Sequence, residues 1–175
     1  ELRAITLLRF EESADKHFTT KLGQVFAEAK RVCRSDGLFT IIFAHQETDA
    51  WTALIRSLFA AGLTVDATWP IDMELKNRMR GLNSAALETS IAVVCRPRVV
   101  GKAASFKEVK KEIEVEVADA LKRFWAYGFR GADLIVACYG PAVGVFGRHE
   151  RVERADGTRV EVPELLELAR SAARD

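Results

Sequence analysis

The chain has 175 residues, a length that fits one globular domain. Hydrophobic residues make up 49% and charged residues 29%, which argues against intrinsic disorder. No apolar run approaches the roughly 18 residues that a membrane helix needs. The 26 Lys and Arg against 25 Asp and Glu leave a net charge of +1. An overall basic coat for nucleic acid is thereby excluded, and any basic patch has to be local.

Cys33, Cys95 and Cys138 are odd in number and far apart. They form neither a zinc-ligand spacing nor a disulfide framework. Each sits in an apolar run and is expected to be a small buried hydrophobe in a protein of the reducing cytoplasm. The chain opens on Glu1 with no signal-peptide pattern, and its first segment reads like the middle of something. A fragment of a larger protein is the expectation.

Residues 1–13 carry no clear pattern. From Ser13 to Arg34, Leu22, Val25, Phe26, Ala29 and Val32 recur at helical spacing, and Asp36-Gly37 supplies a turn. Leu38 to Ala44 is a nearly unbroken apolar run, as in a strand covered on both faces. A second helix follows, with Thr48 or Asp49 as its cap, Trp51, Leu54, Ile55, Leu58 and Phe59 as its stripe and Gly62 as its stop. Leu63 to Trp69 alternates as a half-buried strand. A loop from Pro70 to about Ala86 leads to a third strand over Glu88–Cys95. Helices alternating with buried strands predict an α/β fold with a parallel, doubly wound sheet. The last two strands have no helix between them and are expected to pair antiparallel at one edge.

Beyond Val100 the character changes. Ser105 caps a predicted helix to Tyr127 whose buried face is Phe106, Val109, Ile113, Val117, Ala120, Leu121 and Phe124. Residues 131–147 are apolar and Gly-rich and fit helix or strand equally. A hairpin is predicted over Arg148–Val162 across Asp156-Gly157. Pro163 suits the first position of a closing helix. Two segments follow from this reading, 1–100 and a helical and hairpin extension over 101–175.

No self-sufficient catalytic constellation is present. His17, His45 and His149 are isolated, so no metal site is expected. Neither a nucleophile elbow nor a phosphate-binding loop occurs. Gly140, Gly144 and Gly147 have the wrong spacing for a dinucleotide fingerprint and suit tight packing. Ligands of an open parallel sheet bind beyond the carboxyl ends of its strands. That rule puts His45 and Gln46 after the first strand, and Trp69 and Pro70 at the end of the second, at a substrate crevice. His45 can exchange a hydrogen bond with a ligand, and Trp69 can stack on a base. From Leu75 to Lys102 the chain holds Lys76, Arg78, Arg80, Arg96, Arg98 and Lys102 against Glu88 alone. Lys76, Asn77, Arg78 and Arg80 are candidates to grip DNA phosphates, whereas Arg96 and Arg98 can instead neutralise carbonyls at the strand end.

The run EAKRVCRSDGLFTIIFAH (28–45) resembles a recurrent stretch of Rossmann-like methyltransferases. Residues 43–74, with NSAALETSIAVVCRPR (83–98), resemble the C-terminal half of the adenine-specific DNA methylases that carry a zinc ribbon. Residues 131–162 resemble their C-terminal region. The resemblance spans about Phe26 to Arg170 and implies half of a Rossmann-like methyltransferase sheet in 1–100, parallel with an antiparallel edge strand, plus the extension. It also implies S-adenosylmethionine as cofactor of the intact parent and an exocyclic adenine amine in DNA as substrate. That family holds its cofactor with an Asp-Pro-Phe-x-Gly-x-Gly type loop and its target amine with an Asp-Pro-Pro-Tyr loop. Neither occurs here, since Pro70, Pro97, Pro141 and Pro163 are all isolated. The chain alone is therefore expected to bind no cofactor and transfer no methyl group, and no catalytic residue carries over. A missing N-terminal half or companion subunit would supply both loops.

A different class stays open: a non-catalytic Rossmann-like module that binds DNA or a protein partner. In either case a half-sheet leaves the Leu38–Ala44 strand with an apolar edge, through which self-association is expected. For the basic loop, Arg78→Ala with Arg80→Ala is expected to weaken DNA binding similarly across sequences and to lower its salt dependence. A salt titration of binding checks this, and unchanged low-salt affinity would remove the loop from the interface.

Overall fold

The computed structural model describes residues 2–45, 47–72, 89–99 and 101–174, with side chains from Lys16 onward except those of Asp72 and Thr89. Its elements in chain order are α1 (Leu2–Val32), β1 (Phe39–Phe43), α2 (Thr48–Ala60), β2 (Leu63–Asp72), β3 (Thr89–Pro97), β4 (Ala104–Ser105), α3 (Phe106–Ala126), α4 (Gly131–Ala137), α5 (Tyr139–Gly147), β5 (Val152–Glu153) and α6 (Val162–Ala172). The fold is mixed α/β, and no described helix is long and apolar enough to cross a membrane.

The main sheet has the order β1-β3-β2, and β3 is antiparallel to both neighbours. β1 and β2 therefore run in the same direction with β3 inserted between them. This corrects the expected parallel sheet with an antiparallel strand at its edge: the antiparallel strand is central. Burial explains the order. Ile91, Val93 and Cys95 of β3 are at most 1% exposed, and Ala92 on its other face is 7% exposed, so the strand apolar on both faces takes the middle. β2 carries Pro70 within its length, and a proline that cannot donate to a ladder belongs on an outer strand. The strand continues past Trp69 to Asp72, with an irregularity between Val65 and Ala67 that leaves Asp66 exposed.

One face of the sheet is covered. Val65 and Thr68 of β2 share it with Ile91, Val93 and Cys95, and Phe39, Ile41 and Phe43 of β1 continue it. Trp51, Leu54, Ile55 and Leu58 of α2 belong to the same hydrophobic cluster. The Ser57 hydroxyl reaches Thr19 O at 3.1 Å, which ties α2 to α1. On the opposite face Thr40, Ile42, Ala67 and Trp69 are exposed.

The segment 101–175 completes the core rather than standing apart, because residues from Phe26 to Ala169 form one cluster. Ser105 precedes α3, and Val109, Ile113, Val117, Ala120 and Phe124 are its buried residues. Residues 131–147 resolve as two helices. α5 is buried along nearly its whole length, so its sequence has no polar face to reveal its period. Gly140, Gly144 and Gly147 face β2. A Cβ at Gly140 would overlap Thr68, one at Gly147 would overlap Thr64, and one at Gly144 would sit 3.4 Å from Val65 O. Thr68 Oγ1 adds a buried hydrogen bond to Ala137 O at 3.0 Å.

The predicted hairpin over Arg148–Val162 is reduced to a tight turn with one antiparallel bridge, Glu153 to Arg159, and β5 takes β4 as its parallel partner. Arg154 N donates to Thr158 O and Val160 N to Val152 O around Gly157, whose φ of 83° suits glycine. Pro163 opens α6, where Glu161 N donates to the Glu164 carboxylate at 3.2 Å.

Gly140→Ala is expected to destabilise the protein by about 1–3 kcal/mol, the usual cost of overpacking a filled site. Urea denaturation checks this. A stability unchanged within error would mean that α5 does not rely on that close approach.

Candidate functional site

A cavity of about 1030 Å³ lies at the carboxyl end of β1, between the N-terminal turns of α2 and the facing part of α1. Phe18, Phe43, His45, Glu47, Thr52 and Arg56 are among the residues around it. The cavity lies where the sequence reading placed His45, beyond the carboxyl end of the first strand.

His45 is the most constrained group there. Its carbonyl accepts from Trp51 Nε1 at 2.9 Å, and its Nδ1 accepts from the Glu47 backbone N–H at 3.1 Å. An accepting Nδ1 carries no proton, so the neutral ring holds its hydrogen on Nε2. The imidazole also stacks on Phe43, with centroids 6.3 Å apart. Phe43 meets Trp51 edge-on at 4.9 Å, and Trp51 meets Tyr139 of α5 at 5.7 Å. A line of rings thus runs from the cavity wall into the core. His45 is presented as a fixed hydrogen-bond donor on an exposed rim.

The start of α2 differs from the expected cap. Glu47 is the N-cap and makes no side-chain cap bond, while Thr48 lies inside the helix. First-turn N–H groups therefore lack a side-chain cap. Glu47 and Asp49 offer carboxylates at the same end, and Arg56 reaches Glu161 at 3.8 Å. Thr52 is only 7% exposed and its Oγ1 has no partner among the described residues. Such a lining can hydrogen-bond a small polar ring, with Phe18, half exposed, as an apolar wall.

The other sequence-derived residues are distributed differently. Trp69 is 54% exposed on the opposite face of β2, and its ring lies 5.5 Å from that of Tyr127, itself 62% exposed. Pro70 pairs with Ile91, which pairs with Phe43 on the other side, so Pro70 is in the same cross-strand row as the cavity wall. Pro70 is buried, and neither it nor Trp69 borders the cavity. His45 and Trp69 therefore share one end of the sheet but not one pocket. Gln46, Lys76, Asn77, Arg78 and Arg80 lie outside the described residues.

Arg96 and Arg98 are accounted for within the fold. Arg96 pairs with Asp66 at 2.5 Å. Arg98 donates from Nε to Gly147 O at 2.9 Å and from Nη2 to His149 O, and its guanidinium lies 4.8 Å from the Phe59 ring centre. It neutralises carbonyls at the end of α5, a favourable place for a cation. Burial lowers the pKa of this guanidinium from its ordinary value.

Burial pushes the thiols of Cys95 and Cys138 up to about 12, which makes both poor nucleophiles. Cys33 departs from the expectation of burial and is half-buried beside Gly37.

Sequence reasoning missed Thr52, Arg56 and Tyr127. Thr52 left a trace, as a hydroxyl beside the apolar stripe of α2. Tyr127 left none, because its pairing with Trp69 joins positions 58 residues apart.

The described residues do not fit an S-adenosylmethionine cradle. No glycine-rich turn follows β1, and the spaces beside Gly140 and Gly147 are filled by Thr68 and Thr64. Compared with protein-family models, curated proteins and solved structures, the chain matches none.

Thr52→Val keeps the shape of the side chain and removes an unpaired hydroxyl. It is expected to leave stability equal or raised by up to about 1 kcal/mol, since burying an unpaired polar group is unfavourable. A thermal melt checks this, and a clear loss would mean that Oγ1 has a partner.

Proposed function

We infer that the chain is the C-terminal part of an S-adenosylmethionine-dependent DNA adenine methyltransferase, acting on an exocyclic amine and inactive without the part that holds cofactor and amine. The observation that carries this reading is the cavity at the carboxyl end of β1, in a sheet where β1 and β2 run alike with α2 between them. A half-site of this kind supplies walls and a fixed donor, His45 Nε2–H, and leaves the chemistry to loops elsewhere. Methylation of an amine is largely a matter of aligning it with the donor, so a wall that fixes the base has a role without reacting. The sequence resemblance over 26–170 supports the same reading.

The second reading is a non-catalytic module that binds DNA or a protein. The apolar side chains of Ile42, Trp69 and Tyr127, each more than half exposed, favour it.

Complementation separates the two. The chain is mixed with a companion polypeptide that carries the Gly-rich and Asp-Pro-Pro-Tyr loops, and transfer of labelled methyl groups to adenine in DNA is followed. Activity is expected only with both polypeptides, and His45→Ala is expected to lower it at least about tenfold, the effect of losing roughly 1.4 kcal/mol of positioning. No transfer by the pair, with DNA or protein binding by the chain alone, would favour the module.

A further inference from the structure

We propose that the cavity at the start of α2 binds a small organic ammonium ion with an apolar body, held by Glu47, Asp49 and the Thr52 hydroxyl. The inference does not rest on the methyltransferase reading, because it concerns groups that the reading leaves unused.

The charges around the cavity divide by sign. Among the described residues its cations are engaged: Arg56 lies 3.8 Å from Glu161, and Lys16 also has a partner. Glu47 and Asp49 border the same cavity, and neither carboxylate has a hydrogen bond or an ion pair among the described residues. Acidic residues are common in the first turn of a helix, where the peptide dipoles present about half a positive charge. Two carboxylates exceed that charge, so this end of α2 stays net negative.

Exposed carboxylates alone need only water. Thr52 needs more. It follows Asp49 by one turn, roughly 4.5 Å along the helix axis, and borders the cavity on the same side of α2. It is only 7% exposed, yet its Oγ1 has no partner among the described residues. A buried hydroxyl without a partner is costly and uncommon in a native structure. A ligand that donates to it accounts for it. An ammonium group has three donors and no acceptor, which matches two carboxylates and one hydroxyl. Phe18 and Phe43 add aromatic walls, which suit both a cation and its apolar body. A cavity of about 1030 Å³ has room for an organic ion. His45 does not complete a metal site there, because its Nδ1 accepts from the Glu47 N–H and its Nε2 keeps the proton. Nor do the described residues contain a group of three metal-ligating side chains.

Phenethylamine, protonated at neutral pH, is the probe, and phenethyl alcohol is its uncharged counterpart. Titration of the full chain, followed by calorimetry or NMR, is expected to show saturable binding of the amine at least about tenfold tighter than the alcohol, the gain of charge-assisted over neutral hydrogen bonds. Glu47→Gln with Asp49→Asn is expected to remove that preference with unchanged circular dichroism. Thr52→Val is expected to weaken amine binding while the thermal melt stays equal or rises, a split that a merely structural role does not give. Equal affinity for amine and alcohol, tighter binding of hydrocinnamate, no binding of the amine at millimolar concentration, or an affinity unchanged in both variants would overturn the proposal. Calcium binding that is lost in the double variant, without amine binding, would overturn it in favour of an inorganic cation.

Discussion

The close approach of α5 to β2 is the constraint on which the rest of the structure depends. Three glycines on one side of the helix meet Thr64, Val65 and Thr68 of the strand. With side chains in those places the helix would stand off. The cost would then spread, because α5 is also the element that α3 and α6 enclose. Leu165, Leu166 and Ala169 of α6 and Ile113 and Val117 of α3 are buried in the cluster that contains α5. The glycine stripe therefore converts two stretches of sequence with different character into one core. Arg98 fastens the same joint from the other end, by donating from the end of β3 to the carbonyls that close α5.

Much of this fold was legible because its signals are local. The buried positions of α3 were readable from a stripe recurring at helical spacing, and the α6 start from a proline that tolerates only a first turn. The Asp156-Gly157 turn was readable from turn chemistry, since only a residue at ease with positive φ closes it as seen. The strand order was not legible. Nothing within Glu88–Cys95 says which neighbours it will have, and its central place follows from a comparison of burial across three strands. The character of 131–147 was hidden for a related reason: a segment buried all round has no polar face, so period cannot separate helix from strand. The glycines were readable as packing residues, yet the surface they pack on, two threonines of β2, lies some seventy positions earlier.

The candidate site divides along the same line. His45 was identified by a topological rule, as a residue at the end of a strand, and it does border the cavity. Trp69 was identified by the same rule, but a strand has two faces and alternation turns its ring away from that cavity. Pro70, its neighbour, turns inward and is buried. A rule that places residues at one end of a sheet cannot assign them to one pocket without the register of the strand between them.

The two sides of the sheet are built on opposite terms. Beside β2 the strand is covered by a helix set as near as backbone permits, and the covered face is filled by α2 and the C-terminal helices. β1 has β3 as its one strand neighbour among the described residues, its inward phenylalanines are partly buried, and Ile42 and Trp69 are exposed on the opposite face. An isolated exposed apolar residue needs no explanation, but Ile42 and Trp69 are neighbours across Ala92 of β3 and form one apolar patch. The cavity lies on the other side of β1, where Phe43 belongs to both the covered face of the sheet and the cavity wall.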